Sequence, residues 1–447
     1  MSTIASVPYI GWILPFLLVL GIVVFIHEYG HYIVGRWCGI RAEVFSIGFG
    51  KELYHWIDKR GMRWRIGMLP LGGYVKFAGD MDAASAGADR DAMNQMSAEE
   101  LKGTFHTAAV WRRALTVLAG PVANFILSIA VFSAIAMWDG RGVNEPIIGA
   151  VRADANADIG LQAGDKVISV NGTFVDSYSS LLAELAAVDG QRVKAVVNRG
   201  RGEEEIDIHY LRPARIDAVL PGGAAADAGV EKGDVITALN GIEAPNFNVL
   251  RDLIVAAGAE PVELTIQRGD DILNLTLTPR MVDDYDAEGN RIKRPLIGVQ
   301  NSSFGGIEPM REAASPLDAL DYGVARTWSI IAATFAFIGD AFAGEADIKQ
   351  LGGPIQIATV SGQAAEQGGG SLLVMIALIS TSIGLLNLFP IPVLDGGHLM
   401  LYAYEAIRGR PAKERVTEYL NLFGLSLIVL LMVFATYNDI QRWWLLG

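Results

Sequence analysis

Four stretches of this 447-residue chain are apolar over the length needed to cross a bilayer, and they limit what it can fold into. They cover residues 9–34, 114–137, 372–394 and 422–437. A hydrocarbon core about 30 Å thick asks for about 20 apolar residues per helix, because no water is present there to satisfy exposed backbone groups. The first stretch has no Lys or Arg before Arg36 and no small-residue cleavage site after it, so it reads as a retained helix rather than a leader peptide. A fifth apolar run, 328–338, is confined by Arg326 and Asp340 to about half a spanning length. An amphipathic helix is expected there, packed on the protein or lying on the membrane.

Basic residues set the orientation. Arg36, Arg41, Arg112 and Arg113 flank the first two stretches, and Arg408, Arg410, Lys413 and Arg415 lie between the last two. Both clusters are expected in the cytosol, so the first and third crossings run inward and the long middle of the chain lies outside. That middle is polar and acidic, with 28 acidic against 17 basic residues over 139–312. A net charge of −13 then argues against nucleic-acid binding. Cys38 is the sole cysteine, so the outer domains have no internal disulfide and must fold on their cores alone.

The middle contains a duplication. GLQAGDKVISVNG (160–172) and GVEKGDVITALNG (229–241) stand 69 residues apart and share Gly-Asp, an alternating apolar run and Asn-Gly. Gly-Asp opens a turn, the run makes a strand and Asn-Gly closes a hairpin. Helical patterns (181–188, 249–257) and further strands (193–197, 262–267, 273–277) follow. The pattern resembles a tandem pair of PDZ domains, folds that bind peptides as an added strand.

HEYGH places His27 and His31 four residues apart, one turn of helix, with both imidazoles leaving one face toward a single tetrahedral metal ion. Glu28 stands beside that pair, where its carboxylate can take a proton from water as a general base. The bland alternative is a polar helix-packing cluster. Three ionisable residues inside an apolar helix are costly, however, and mark a functional site.

Two histidines are too few for zinc, and NLFPIPVLDGGH (387–398) offers the third ligand. Pro390 and Pro392 break the helix and leave Asp395 at the break. His398 competes as ligand but lies farther from the break. Both motif helices run inward, so His27, His31 and Asp395 end near one face, and about 1.5 Å per residue from Trp12 puts His27 about 22 Å deep. Asn387, beside the unwound segment, can hold a substrate backbone group or simply pack a helix. In RIGMLPLGGYVKF (65–77), apolar residues alternate around Gly72-Gly73, which suggests a hairpin dipping toward the membrane. Its edge, at Gly72, Gly73 and Tyr74, could clamp a substrate as an added strand. Asn124, with Gly120 and Pro121, reads as a kink and packing residue of the second helix.

HEYGH, GPVANF (120–125) and NLFPIPVLDGG together resemble the site-2 protease family of intramembrane metalloproteases. The resemblance implies one catalytic zinc ion on His27, His31 and Asp395, with Glu28 as base. It also implies a bacterial inner-membrane, multi-pass protein that acts in regulated intramembrane proteolysis. The substrates implied are single-span proteins of the anti-sigma-factor type already trimmed outside, with signal-peptide remnants as a second class.

The fold class expected is therefore a polytopic α-helical membrane protein of four transmembrane helices, with an inserted tandem pair of PDZ-like α+β domains and a membrane-associated β-hairpin. Its parts are 1–139 and 371–447 for the two halves of the membrane core, 140–212 and 213–282 for the PDZ-like domains, and 283–370 for the segment after them with its amphipathic helix. The partners expected are the lipid bilayer, single-span substrates, and peptides or ectodomains at the PDZ-like pair, which could equally serve as a size gate. An inactive scaffold would not need HEYGH and Asp395, and a metal transporter would need ionisable residues along several helices, which the last crossing lacks.

Overall fold

The computed structural model describes residues 10–446 except 81–92, 152–159, 189–191, 201, 210–212, 220–222, 286–290, 302–306 and 344–351. The boundary expected at residue 212 falls outside the described residues. Two compact units result, one of residues 1–139 with 314–439 and one of residues 140–313 with the last eight residues.

In the first unit, α1 (Ile10–Trp37) carries HEYGH and has Arg36 in its last turn, where its charge suits the negative end of the helix dipole. Two long strands follow, β1 (Ala42–Ile57) and β2 (Arg63–Phe77). The turn between them lies at 58–62, where the Asp58 carboxylate accepts the Arg60 and Met62 amides at 2.8 and 3.1 Å. Gly72-Gly73 is therefore not the turn of a hairpin; both glycines lie inside β2. At Gly72 a Cβ would strike the Phe49 ring, and at Gly73 it would come within 2.7 Å of the Ser46 carbonyl oxygen. Absent side chains there allow close packing rather than a reversal of the chain.

Both strands bend, β1 at Gly48 and Gly50 with φ near +80° to +90° and β2 around Gly67. Phe45 consequently pairs with Trp64 on one side and Val75 on the other, while Trp56 pairs with Trp64. The order across this small sheet is 54–57, 63–66, 44–47, 73–76. Its 73–76 edge carries no further strand among the described residues. Phe45, Tyr32, Val75, Phe77 and Phe105 form a buried cluster that fixes the sheet to the end of α1. Helix α2 (Val110–Asp139) completes this half of the unit.

The second unit holds the two repeats. The first has β3 (Ile148–Val151), β4 (Lys166–Val170), β5 (Thr173–Phe174), α3 (Tyr178–Ala187), β6 (Arg192–Asn198) and β7 (Glu203–His209). The second has β8 (Ala218–Val219), β9 (Val235–Leu239), β10 (Ile242–Glu243), α4 (Phe247–Ala257), β11 (Val262–Arg268) and β12 (Asp271–Leu277). Their main sheets share one order, β5-β4-β6-β7 and β10-β9-β11-β12. Asn171-Gly172 and Asn240-Gly241 all have positive φ, as a two-residue hairpin turn requires. Each repeat has its own core: Leu181, Leu185 and Ile208 in the first, Leu250, Leu264 and Ile266 in the second. Burying each such side chain contributes about 1.5–3 kcal/mol.

The same staple recurs at the same offset. Arg199 bonds the Asp165 carboxylate at 2.8 Å and the Gly160 carbonyl at 3.1 Å; Arg268 bonds Asp234 at 2.8 Å and the Gly229 carbonyl at 2.7 Å. Burial alone would raise the Asp234 carboxyl, but the Arg268 guanidinium and the Glu231 amide outweigh it and hold its pKa below the usual value.

Chain beyond the second repeat returns to both. Strand β13 (Val299–Gln300) pairs with β8, and β14 (Ile307–Pro309) pairs with β3 of the first repeat. Ile307 is buried in the first core, and its carbonyl accepts a 3.2 Å bond from the Tyr178 hydroxyl. Residues expected in a separate segment after the repeats thus pair with the opening strand of each repeat, in two-stranded sheets beside the main ones. A three-residue strand shows too little alternation for sequence periodicity to reveal it.

The first unit resumes with α5 (Pro316–Ala343), α6 (Pro354–Gln367), α7 (Gly369–Leu388), α8 (Asp395–Arg408) and α9 (Glu414–Leu446). Helix α5 is far longer than the expected half-span. It runs antiparallel to α2, since Gly323 abuts Ser133 and Thr327 meets Ser128. Thr327, Ser128 and Thr381 join in a buried hydroxyl cluster, with contacts of 3.2 and 2.6 Å. This places the middle of α5 against the middle of α2 and α7, so of the two expected positions, the helix is packed on the protein.

Among the described residues, four helices are long and apolar enough to cross a membrane: Gly11–Trp37, Val110–Asp139, Gly369–Leu388 and Arg415–Gln441. The last is the least enclosed. At one end Gly424 lies against the Pro392 carbonyl; at the other, buried Asp439 accepts the amides of Gly353, Ile355 and Gln356 at the start of α6, at 2.8 to 3.0 Å.

Candidate active site

Between α7 and α8, Pro390 and Pro392 deny the chain two backbone donors, and the segment 389–394 runs non-helical. Val393 sits at φ +83°, a conformation costly for a β-branched residue and common beside functional sites. Asp395 then opens α8. Gly397 permits this geometry, because a Cβ there would lie 2.5 Å from the Ile391 carbonyl.

The break delivers Asp395 to the two histidines. Its Oδ2 stands 3.1 Å from His27 Nε2 and 3.5 Å from His31 Nε2, and the two Nε2 atoms are 3.1 Å apart. Ligands about 2.0–2.1 Å from a tetrahedral zinc ion stand about 3.3 Å from one another, so the spacing fits. The chemistry fits too, since Asp395 Oδ2 is buried with no hydrogen-bond partner among the described residues and faces two imidazole nitrogens. A cation satisfies all three atoms at once.

The outer nitrogens are held. His31 Nδ1 lies 2.9 Å from the Thr116 carbonyl, so it carries the proton and leaves Nε2 free to ligate. His27 Nδ1 lies 3.2 Å from the Asn124 amide, whose buried Oδ1 has no partner among the described residues. With that amide turned end for end, Oδ1 accepts from Nδ1–H and both needs are met. The sequence reading missed Thr116, which acts through its backbone and has no side-chain signature, and gave Asn124 only a packing role. The signal was present in GPVANF: Gly120 lies where a Cβ would strike the imidazoles, and Asn124 follows one turn later.

Glu28 sits on the sheet side. Its Cγ is 3.3 Å from where a Gly73 Cβ would stand, and the Val75 amide is its backbone hydrogen-bond partner. Asn387 Nδ2 reaches to 3.5 Å from His27 Nε2. A cavity of about 800 Å³ brings the expected residues together: His27, Glu28, His31, Gly72, Gly73, Tyr74, Asn387 and Asp395 all line it. So do His398 and Tyr402, and from α9, Leu425 and Ile428. His398 is not among the three clustered ligand atoms.

Helices long and apolar enough to span a membrane, bringing two histidines, an aspartate and a glutamate to one cavity, are the arrangement of a membrane metallopeptidase. The sequence profile of peptidase family M50 matches residues 15–431, and the chain belongs to that family, the site-2 proteases. A protein of Agrobacterium fabrum named "putative zinc metalloprotease" is 38% identical over 431 residues, 96% of each chain. One so named in Mesorhizobium japonicum is 39% identical over 433 residues, covering 97% of this chain and 99% of its own. The regulator of sigma-E protease RseP of Salmonella typhimurium is 32% identical over 456 residues, 96% of this chain and 98% of its own. The protein is a metalloprotease and its cofactor is zinc.

Proposed function

We propose that the protein hydrolyses peptide bonds within or beside the membrane segment of single-span proteins, with His27, His31 and Asp395 holding the ion and Glu28 as general base. The observation that carries this is the metal triad on the wall of a cavity built from spanning helices. Zinc, when bound, supplies a Lewis acid that acidifies water and polarises a carbonyl. Glu28 takes the proton as water attacks the carbonyl carbon and passes it to the amine as the C–N bond breaks. Purified protein in lipid vesicles should cut a single-span substrate lacking its outer domain, stop with a chelator and resume with zinc. Activity toward soluble peptides only would overturn the reading.

A helix hides its carbonyls, so the substrate must unwind, and the 73–76 edge offers it a strand to pair with. Exposed Leu53, Tyr54, Ile57, Met68 and Leu69 suit the sheet to an apolar surrounding, as a membrane-associated element. A synthetic membrane-spanning substrate N-methylated at the pairing amides should be cut about tenfold more slowly, since each lost ladder bond is worth about 0.5–1.5 kcal/mol. An unchanged rate would reduce the edge to a wall of the cavity.

The resemblance to the site-2 proteases extends this reading to substrates of the anti-sigma-factor type in regulated intramembrane proteolysis, with signal-peptide remnants as a second class, and the name of the Salmonella relative, a regulator of sigma-E protease, agrees with the first. Charge bias supports an inner-membrane protein with its zinc near the cytosolic side and two PDZ-like domains in the periplasm, where they bind peptides or exclude bulky ectodomains. A cysteine at position 240 should accept label only from outside and one at 410 only from the cytosol. Label reaching 410 from outside would mean that α5, which contains Trp328, spans the membrane as well.

A further inference from the structure

Hydrolysis at this site needs more than a base and an ion, because the carbonyl oxygen of the scissile peptide gathers negative charge as water adds. Donors already aimed at that oxygen lower the barrier. His398 is a candidate the assigned roles leave unused. It follows Asp395 by three residues on α8, so the two side chains share one face about a turn apart. It lines the same cavity as His27, Glu28 and His31 but lies outside the three-atom ligand cluster. Its ring is flanked by Tyr402, with centroids 6.5 Å apart, and Tyr402 is itself held beneath the Arg113 guanidinium at 5.0 Å. Among the described residues its ring nitrogens have no hydrogen-bond partner, unlike those of His27 and His31. An imidazole carries at least one N–H in either protonation state, so a partly buried ring without a partner has a donor to offer whatever occupies the cavity.

We infer that His398 is a further catalytic residue, donating a hydrogen bond to the substrate carbonyl oxygen as it becomes an oxyanion. Glu28 comes from α1 beside the sheet and His398 from α8, so base and donor approach the peptide from different walls. The inference rests on the proposed roles of Glu28 and the metal triad.

The test compares His398→Ala, His398→Gln, which keeps an N–H, and His398→Met, which keeps bulk without a donor. The readouts are bound zinc, kcat, KM, and affinity for a phosphinic peptide that mimics the tetrahedral oxygen. His398→Ala and His398→Met should bind stoichiometric zinc, keep KM within about twofold and lose about 10²–10³-fold in kcat, the range for removing one such donor. Phosphinic-peptide affinity should fall with kcat, and His398→Gln should recover part of both. Wild-type kcat in zinc-loaded His398→Ala overturns the inference, as does zinc loss, which would make His398 a ligand. Equal rates for His398→Gln and His398→Met also overturn it, since packing would then explain the loss. Full activity of Glu28→Gln would instead sink the underlying reading, whatever His398 does.

Discussion

Asp395→Ala protein should purify folded, without zinc, and cut no substrate. Three protein ligands are the usual complement of a catalytic zinc site, and Asp395 is the only one that brings a negative charge to this triad. Its removal leaves two imidazoles, which hold zinc poorly. Folding should survive, because Asp395 Oδ2 makes no hydrogen bond that the helices depend on. The check is metal content by mass spectrometry beside cleavage in vesicles. Stoichiometric zinc in the variant would move the third ligand elsewhere, and His398, three residues along the same helix, is the first place to look.

Glu28→Gln should give the complementary result, a protein that keeps zinc and loses about 10²–10⁴-fold or more in cleavage rate. Glutamine matches glutamate in shape, so the packing against Gly73 stands. Its amide cannot accept the proton from water. Because ligands and cavity persist, the variant should also retain substrates, and crosslinking followed by mass spectrometry would identify them. Normal turnover with zinc bound would remove Glu28 from the mechanism.

The parts of the site visible in the sequence were those that break a local expectation. Charged residues inside an apolar helix exposed His27, Glu28 and His31, and two prolines inside an apolar run exposed Asp395. Each violation is costly, so each demands a reason. Thr116 stayed hidden because it contributes only a carbonyl. Asn124 sat in a helix where an amide reads equally well as packing.

The sheet shows the opposite limit. The apolar alternation around Gly72 and Gly73 suggests a hairpin there, whereas the chain reverses at Asp58 and Gly61, in a segment with no apolar periodicity to draw attention. In the sequence, Arg326 and Asp340 look like the ends of a short apolar helix, although α5 runs from Pro316 to Ala343. Packing on α2 through Gly323 and Thr327 lets the helix run past Arg326. The partner strands of the repeats were beyond local reasoning altogether, since β14 pairs with residues more than 150 positions earlier.

That last pairing fixes an order of events on the ribosome. The first repeat emerges before the second, yet its opening strand β3 lacks its partner β14 until residues 307–309 have been made. The second repeat closes slightly earlier, when 299–300 arrive. The two are nested like paired brackets, the one begun first being finished last. Until then the nascent chain exposes an unpaired β3 beside a core still missing Ile307, so a chaperone has its clearest binding opportunity in the first repeat.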